Sequence, residues 1–186
     1  MTHAALTTAD RTRIAQLNRA YLQTALGLHR AGHDSWLLSR FDLSAEMLED
    51  LASLSPEALE NMHADMSTTL FAIDVSEEAL QCVKTADPLA GVKWINEAET
   101  LVAPGTWLMA TVLQELAACN VYSDSAAYRF NCEQSLADEL TNVHPLLLAS
   151  LAAHGGTVLK ARFTRNHVMA ADVAGAFPVG LLMSLH

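Results

Sequence analysis

Two histidines, His29 and His33, stand four residues apart in the sequence, and Asp34 follows the second. On a helix this spacing places both imidazoles on one face, where they can share a metal ion. Gly32 lies between them and is a common helix terminator, and no third ligand is suggested by the spacing of other residues. Either the pair binds a metal or it consists of solvated polar residues at a helix end, and the missing ligand favours the second interpretation.

The sequence HGG at 154–156 is a second candidate, because glycine-rich turns form oxyanion holes in some esterases. No GxSxG nucleophile elbow accompanies it, so the motif predicts a helix stop. Cys82, Cys119 and Cys132 have no CxxC spacing, which predicts reduced thiols, and no neighbour in the sequence would activate Cys119 or Cys132, which predicts that these two are small buried residues. We therefore predict a chain without catalytic residues and without a metal or cofactor of its own.

The composition of the 186-residue chain restricts its partners further. Hydrophobic residues make up 51% and aromatic residues only 6%, which predicts a helical core of leucine and alanine. A net charge of −10, with no run of lysine or arginine, argues against a surface that binds nucleic acid directly. We expect a cytoplasmic protein, because the first residues lack the apolar region of a signal peptide and no apolar run reaches the ~18 residues of a membrane span.

Hydrophobic periodicity and capping residues predict the elements that position these groups. The predicted helices lie at 8–31, at 44–54, from Ser55-Pro56, at 76–84, around Trp94, at 106–119 and in two segments that meet near His144-Pro145. The predicted strands lie at 68–73, 158–164 and 178–185, and 166–173 is predicted to be irregular or strand-like. The fold class is therefore mainly α with a small antiparallel sheet of about three strands.

Residues 39–74 align without a gap on residues 128–163 at a constant offset of 89. The identical pairs are Arg40/Arg129, Phe41/Phe130, Leu51/Leu140, Pro56/Pro145, Leu59/Leu148, Ala64/Ala153, Thr68/Thr157, Leu70/Leu159 and Ala72/Ala161. Either a helix–helix–strand unit is duplicated or two such units are similar by chance. The predicted boundary between the two halves lies at Ala103-Pro104-Gly105. The first half, 1–103, is predicted to be helical with one strand, and the second, 104–186, to be a second helical copy with the C-terminal strands. The two halves are predicted to pack as one compact unit.

Two further sets of residues are assigned from periodicity. Core positions are predicted for Met47, Met62 and Met66, with a binding surface as the alternative. Core positions with one exposed edge are predicted for Trp36, Trp94 and Trp107. A solvated face, or alternatively a docking surface for a basic partner, is predicted for Glu46, Glu49, Asp50, Glu57 and Glu60. These assignments leave the chain without an evident reaction and favour a function in binding.

The first predicted helix has the pattern N-x-x-Y-L-x-x-A-x-x-L, formed by Asn18, Tyr21, Leu22, Ala25 and Leu28. The second has the pattern E-M-x-x-x-L-A-x-L, formed by Glu46-Met47, Leu51-Ala52 and Leu54. Phe71 is an aromatic residue in the strand that follows. On these residues the segment 18–74 resembles the flagellar regulator FlhD. FlhD acts in a complex whose DNA contacts depend on a second subunit. The resemblance implies a transcriptional regulator that acts through a protein partner, although this chain is longer and strongly acidic.

The layout of the whole chain, a helical part followed by C-terminal strands, is similar to that of MbnC, the small subunit of the methanobactin-modifying MbnB–MbnC complex. That family has no active site of its own. The resemblance implies a heterodimer with an MbnB-type iron oxygenase. That partner holds the iron and oxidises cysteines of a precursor peptide. The resemblance also implies a non-catalytic subunit of methanobactin biosynthesis that binds the leader of this ribosomally made peptide on its sheet.

Of the predicted strands, 158–164 is the one that carries cations, Lys160 and Arg162, with Arg165 close by. Lys160 and Arg162 share a face of the strand, so they can pair with acidic leader residues while the strand edge adds the peptide. Alternatively, the two charges keep an edge strand soluble. The predicted peptide-binding residues are Val158, Leu159, Lys160, Ala161, Arg162, Phe163, Thr164 and Arg165.

Overall fold

The computed structural model of the protein describes residues 7–63, 66–88 and 103–174. Its elements are α1 (Thr8–Arg30), α2 (Asp34–Phe41), α3 (Ala45–Ser53), α4 (Pro56–His63), β1 (Phe71–Val75), α5 (Glu77–Lys84), α6 (Ala103–Tyr122), α7 (Ala126–Arg129), α8 (Gln134–Thr141), α9 (Pro145–Ala153), β2 (Thr157–Ala161) and α10 (Arg165–Ala174). Most described residues are helical, as predicted. The predicted helix around Trp94 and the predicted strand 178–185 lie outside the described residues.

Local capping explains where several helices begin. Thr7 and Asp10 form a reciprocal capping box at the start of α1, in which the Thr7 hydroxyl accepts the Asp10 N–H at 3.2 Å. The Ser44 hydroxyl accepts the Met47 N–H at 3.3 Å and caps α3. Pro56 opens α4, where a missing N–H costs nothing. These starts were predicted correctly because each signal lies within one helical turn.

The C-terminal described segment corrects one prediction. Residues 166–173, predicted to be irregular or strand-like, lie in the helix α10. Thr164 precedes the helix, and its N–H donates to the His167 Nδ1 at 3.0 Å while its carbonyl accepts the His167 and Val168 N–H groups. A histidine ring that serves as a cap partner is not a standard sequence signal, which explains why this helix was missed.

Two other elements also differ from the sequence prediction. The helix α2 was not predicted, and α6 begins at Ala103, so the predicted break at Ala103-Pro104-Gly105 forms the first turn of a helix. Proline is tolerated in a first turn because its nitrogen needs no intrahelical partner there. The described sheet has two strands, β1 and β2, and the third predicted strand lies outside the described residues.

The described residues form two compact units, and the chain enters the outer one twice, before and after the inner one. The outer unit contains 7–63, 66–71 and 160–174, and the inner unit contains 72–88 and 103–159. In the outer unit α1 packs against α2, α3 and α4, and α10 packs against α3 and α4. In the inner unit α6 packs against α7, α8 and α9, and α5 packs against α9. The helix that follows each strand therefore joins the unit built by the other half of the chain.

The strands β1 and β2 are antiparallel. The Ser76 N–H donates to the Gly156 carbonyl at 2.8 Å at one end, and the Arg162 N–H donates to the Leu70 carbonyl at 2.9 Å at the other. This register places Ile73 opposite Leu159, and both side chains are buried. The two strands thus contribute their apolar faces to the cores.

The helices of the two halves follow one another at the spacing that the sequence alignment predicts, but the strands do not. The helices α8 and α9 begin 89 residues after α3 and α4, whereas β2 begins 86 residues after β1. The gapless pairing of Thr68 with Thr157 is therefore wrong, because the connection from α4 to β1 is longer than that from α9 to β2. Duplication of the unit stays a prediction.

The turn before β2 gives a test of packing in the inner unit. A Cβ on Gly156 would lie 2.1 Å from the Ser76 Oγ and 3.2 Å from the Ala79 Cβ. That hydroxyl accepts the Ala79 N–H at 3.3 Å and caps α5, so a larger residue must displace the cap. We expect Gly156→Ala to lower the free energy of unfolding by about 1–3 kcal/mol in urea denaturation.

The neighbouring glycine supplies the matched control. A Cβ on Gly155 meets nothing within 4 Å. We expect Gly155→Ala to change stability by no more than about 0.5 kcal/mol. Equal stabilities of the two variants would show that the Ser76 cap does not depend on the close approach of Gly156.

Candidate functional site

The predicted peptide-binding segment 158–165 is divided between three kinds of backbone. Val158, Leu159, Lys160 and Ala161 lie in β2, Arg162, Phe163 and Thr164 form the connection, and Arg165 begins α10. Leu159 and Phe163 are buried, Lys160 is exposed, and Val158 and Arg162 are half-buried. The alternation predicted for this strand places one face in the core, so only the opposite face offers side chains to a ligand.

Arg165, the last residue of that set, has carboxylate partners within the outer unit. Its Nε and Nη2 donate to the two carboxylate oxygens of Asp50, and its Nη1 lies 3.6 Å from the Glu46 Oε2. The hydrogen bond that Arg165 donates to Asp50 raises the pKa of Arg165 above its ordinary value. Part of the predicted acidic face, Asp50 and Glu46, thus attaches α3 to α10.

The α1 residues of the FlhD-like pattern and Phe71 are buried in the outer unit, whereas Glu46 and Ala52 are exposed. The Asn18 side chain is fully buried, and its Oδ1 accepts the Leu70 N–H at 2.7 Å. Its Nδ2 donates to the Thr68 carbonyl at 3.2 Å. One amide side chain on α1 therefore satisfies the backbone just before β1, which would otherwise be buried without a partner.

Tyr21, one helical turn further along α1, is the centre of an aromatic cluster. Its ring centroid lies 4.9 Å from that of Phe41 and 4.9 Å from that of Phe71. Its hydroxyl donates to the Phe41 carbonyl at 3.0 Å, and burial raises the pKa of Tyr21 well above its ordinary value. Tyr21 therefore remains a neutral donor and joins α1, the end of α2 and the start of β1.

A cleft of about 210 Å³ lies between α1 and α4. It is lined by Arg19, Leu22, Gln23, Leu26, Pro56, Leu59, Glu60 and His63. His63 is buried, and its Nε2 lies 3.2 Å from the Glu60 Oε2. Burial lowers the pKa of His63, so the imidazole is neutral at pH 7. Pockets for drug-sized ligands usually measure about 300–1,000 Å³, so this cleft has room for a group about the size of one side chain.

The structure corrects the expectation for the cysteines, since Cys82, Cys119 and Cys132 are half-buried and the Arg129 Nη1 donates to the Cys119 Sγ at 3.7 Å. Burial, with a smaller effect from Glu133, raises the pKa of Cys132 to about 12, so this thiol is protonated at neutral pH.

His29 Nδ1 lies 2.7 Å from Asp34 Oδ1, and His33 lies outside α1 because the helix ends before Gly32, which has a φ of 80°. Among the described residues, no three His, Cys, Asp or Glu side chains are grouped so that they could hold a metal ion.

Sequence analysis missed one exposed surface of the inner unit. Trp107 was predicted to lie in the core, but 69% of its surface is exposed. Val121 and Tyr122, at the other end of α6, are 57% and 89% exposed. The available signal was that α6 carries a single charged residue, Glu115, so no polar face marks its solvent side.

Comparison with known proteins gives no relative for this chain: no family model, no curated protein and no solved structure matches it. None of the described helices is both long enough and apolar enough to cross a membrane.

Proposed function

We propose that this protein is a regulatory protein of the FlhD type, which acts in transcription through a protein partner and has no catalytic site of its own. The observation that supports the proposal is the convergence of Asn18, Tyr21 and Phe71 in one core. Tyr21 and Phe71 come from separate segments of the sequence and their rings pack together, and Asn18 bonds to the backbone of Leu70, next to Phe71. Such a pattern encodes a folding unit, and the resemblance to FlhD rests on this unit.

The proposal includes a second such unit in tandem. Arg40 and Arg129, 89 residues apart, are 8% and 7% exposed, and each precedes a buried phenylalanine. The next residues, Asp42 and Asn131, have φ angles of 55° and 49°, a left-handed conformation that short polar residues tolerate best. A buried arginine followed by the same rare backbone turn at the same spacing supports duplication.

The net charge of −10 determines what the partner must supply. Protein–DNA affinity depends on cations that neutralise phosphates, and this chain has 11 lysines and arginines against 21 acidic residues. The partner is therefore a basic subunit that makes the DNA contacts, and the acidic chain binds and positions it.

The test is co-purification followed by DNA binding. A tagged chain is purified from its own cells, the co-purifying proteins are identified by mass spectrometry, and mobility shifts are measured for the chain alone and for the complex. We expect no shift with the chain alone and a shift with the complex that weakens steeply as salt is raised. A complex that binds no DNA at low salt contradicts the proposal.

A second candidate function is leader-peptide binding in an MbnB–MbnC-type complex. The placement of Lys160 favours it, because this exposed cation lies on a two-stranded sheet, a kind of surface to which an extended peptide can add. In that case the iron belongs to the partner oxygenase and the peptide carries cysteines. Co-purification with an iron oxygenase and a short cysteine-containing peptide would support this function in place of the first.

A further inference from the structure

The helix α6 presents an uncharged stripe to solvent. Trp107 and Val121 lie at its two ends, 69% and 57% exposed, and Gln114 and Ala118 are exposed between them. The opposite side of the helix is buried against the inner unit. A helix that is apolar nearly all round is usually covered on all sides, so the exposed stripe indicates a contact with another molecule.

The stripe has the same pattern from either end. Its members are Trp107, Ala110, Gln114, Ala118 and Val121, so that large residues flank two alanines and the glutamine lies at the centre. The successive spacings of three, four, four and three residues keep all five on one face of the helix. A pattern that is symmetric about its centre is self-complementary when two copies of the helix pack antiparallel about a two-fold axis.

We infer that this stripe is a homodimer interface whose occupant is a second copy of this chain. With the axis at Gln114, Trp107 of one copy packs against Val121 of the other, and Ala110 faces Ala118. The alanines allow the helix backbones to approach closely, and the two Gln114 amides can donate to and accept from each other across the axis.

Charge supports the choice of this face for a contact between identical chains. Two copies that each carry −10 repel one another wherever their acidic surfaces meet. The stripe itself contains no ionisable side chain, and Glu115, the one charged residue of α6, is half-buried beside it. The inference is independent of the proposed function, since it concerns the inner unit alone and needs no other protein.

Sedimentation analysis of the full chain tests the interface. We expect a species of twice the 20.1 kDa chain mass. Gln114→Glu places two carboxylates at the axis and is expected to weaken dimerisation by about tenfold or more, because like charges opposed at an interface are strongly unfavourable. Gln81→Glu makes the same charge change on an exposed position of α5 and is expected to leave the dimer intact.

A charge-exchange pair makes the test specific for the axis. Gln114→Glu and Gln114→Lys are each expected to dimerise about tenfold or more weakly than the wild-type chain when alone and to form a tighter heterodimer when mixed. Because Gln114 is exposed, both variants should fold like the original chain, which circular dichroism checks. A monomeric wild-type chain at its highest soluble concentration, or a dimerisation constant that Gln114→Glu leaves unchanged, overturns the inference. So does failure of the mixture to associate.

Discussion

The variant Tyr21→Ala is expected to lose about 3–5 kcal/mol of unfolding free energy, the largest effect of any single substitution considered for the outer unit. Tyr21 is fully buried, and its ring contacts both Phe41 and Phe71 at centroid distances of 4.9 Å. Removing it leaves a cavity between α1, α2 and β1 and also removes the donor to the Phe41 carbonyl. Urea denaturation followed by circular dichroism measures the loss.

Two further variants separate the contributions to this effect. Tyr21→Phe keeps the ring and removes only the hydroxyl, so we expect it to cost about 1–2 kcal/mol. Leu38→Ala truncates a side chain of the same unit that is 56% exposed, and we expect a change within about 0.5 kcal/mol. If Tyr21→Ala cost no more than Leu38→Ala, the aromatic cluster would not be what joins these elements.

The expected effect of Tyr21→Ala also concerns the proposed function, because Tyr21 belongs to the FlhD-like pattern on which that proposal rests. The FlhD-like residues on α1 are buried, so their substitution should abolish partner binding by unfolding the outer unit. Partner binding itself must depend on other, exposed residues. A Tyr21 variant that kept its fold and lost its partner would instead show that the pattern forms a contact surface.

Helices were predicted well where their signals are local. The capping residues Thr7 and Ser44 and the proline at 56 lie within one turn of the helices they begin. The helix α10 was missed because its cap uses the ring of His167, and α2 was missed because its N-cap residue, His33, makes no side-chain cap hydrogen bond. Local sequence patterns do not contain this information.

The start of β1 depends on a contact between residues far apart in the sequence, which local sequence patterns also do not contain. A strand was predicted from Thr68, whereas β1 begins at Phe71. The Thr68 carbonyl and the Leu70 N–H bond to Asn18, so this backbone is satisfied by a side chain instead of a neighbouring strand. A contact between residues so far apart in the chain is visible only in the fold. The buried arginines Arg40 and Arg129, in contrast, were already paired in the sequence alignment.

The variant Asn18→Leu tests that long-range contact directly. Leucine has a similar volume but can neither accept from the Leu70 N–H nor donate to the Thr68 carbonyl, and both backbone residues are buried. Each buried group left without a partner costs about 1–3 kcal/mol, so we expect a loss of about 2–4 kcal/mol in urea denaturation. The exposed Asn166, also in the outer unit, provides the matched control: Asn166→Leu should change stability by no more than about 0.5 kcal/mol.

Amide hydrogen exchange at Leu70 distinguishes the proposed cause from a general loss of packing. In the wild-type chain this N–H is buried and bonded to the Asn18 Oδ1 at 2.7 Å, so it should exchange slowly. In Asn18→Leu it loses its acceptor and should become one of the fastest-exchanging amides of the outer unit. Exchange at Leu70 that rises only as much as at the Leu22 amide, within α1, would mean that the variant loosens the unit as a whole. In that case Asn18 would contribute by packing, and the start of β1 would be held by its other contacts, among them the Tyr21 ring and the Arg162 N–H.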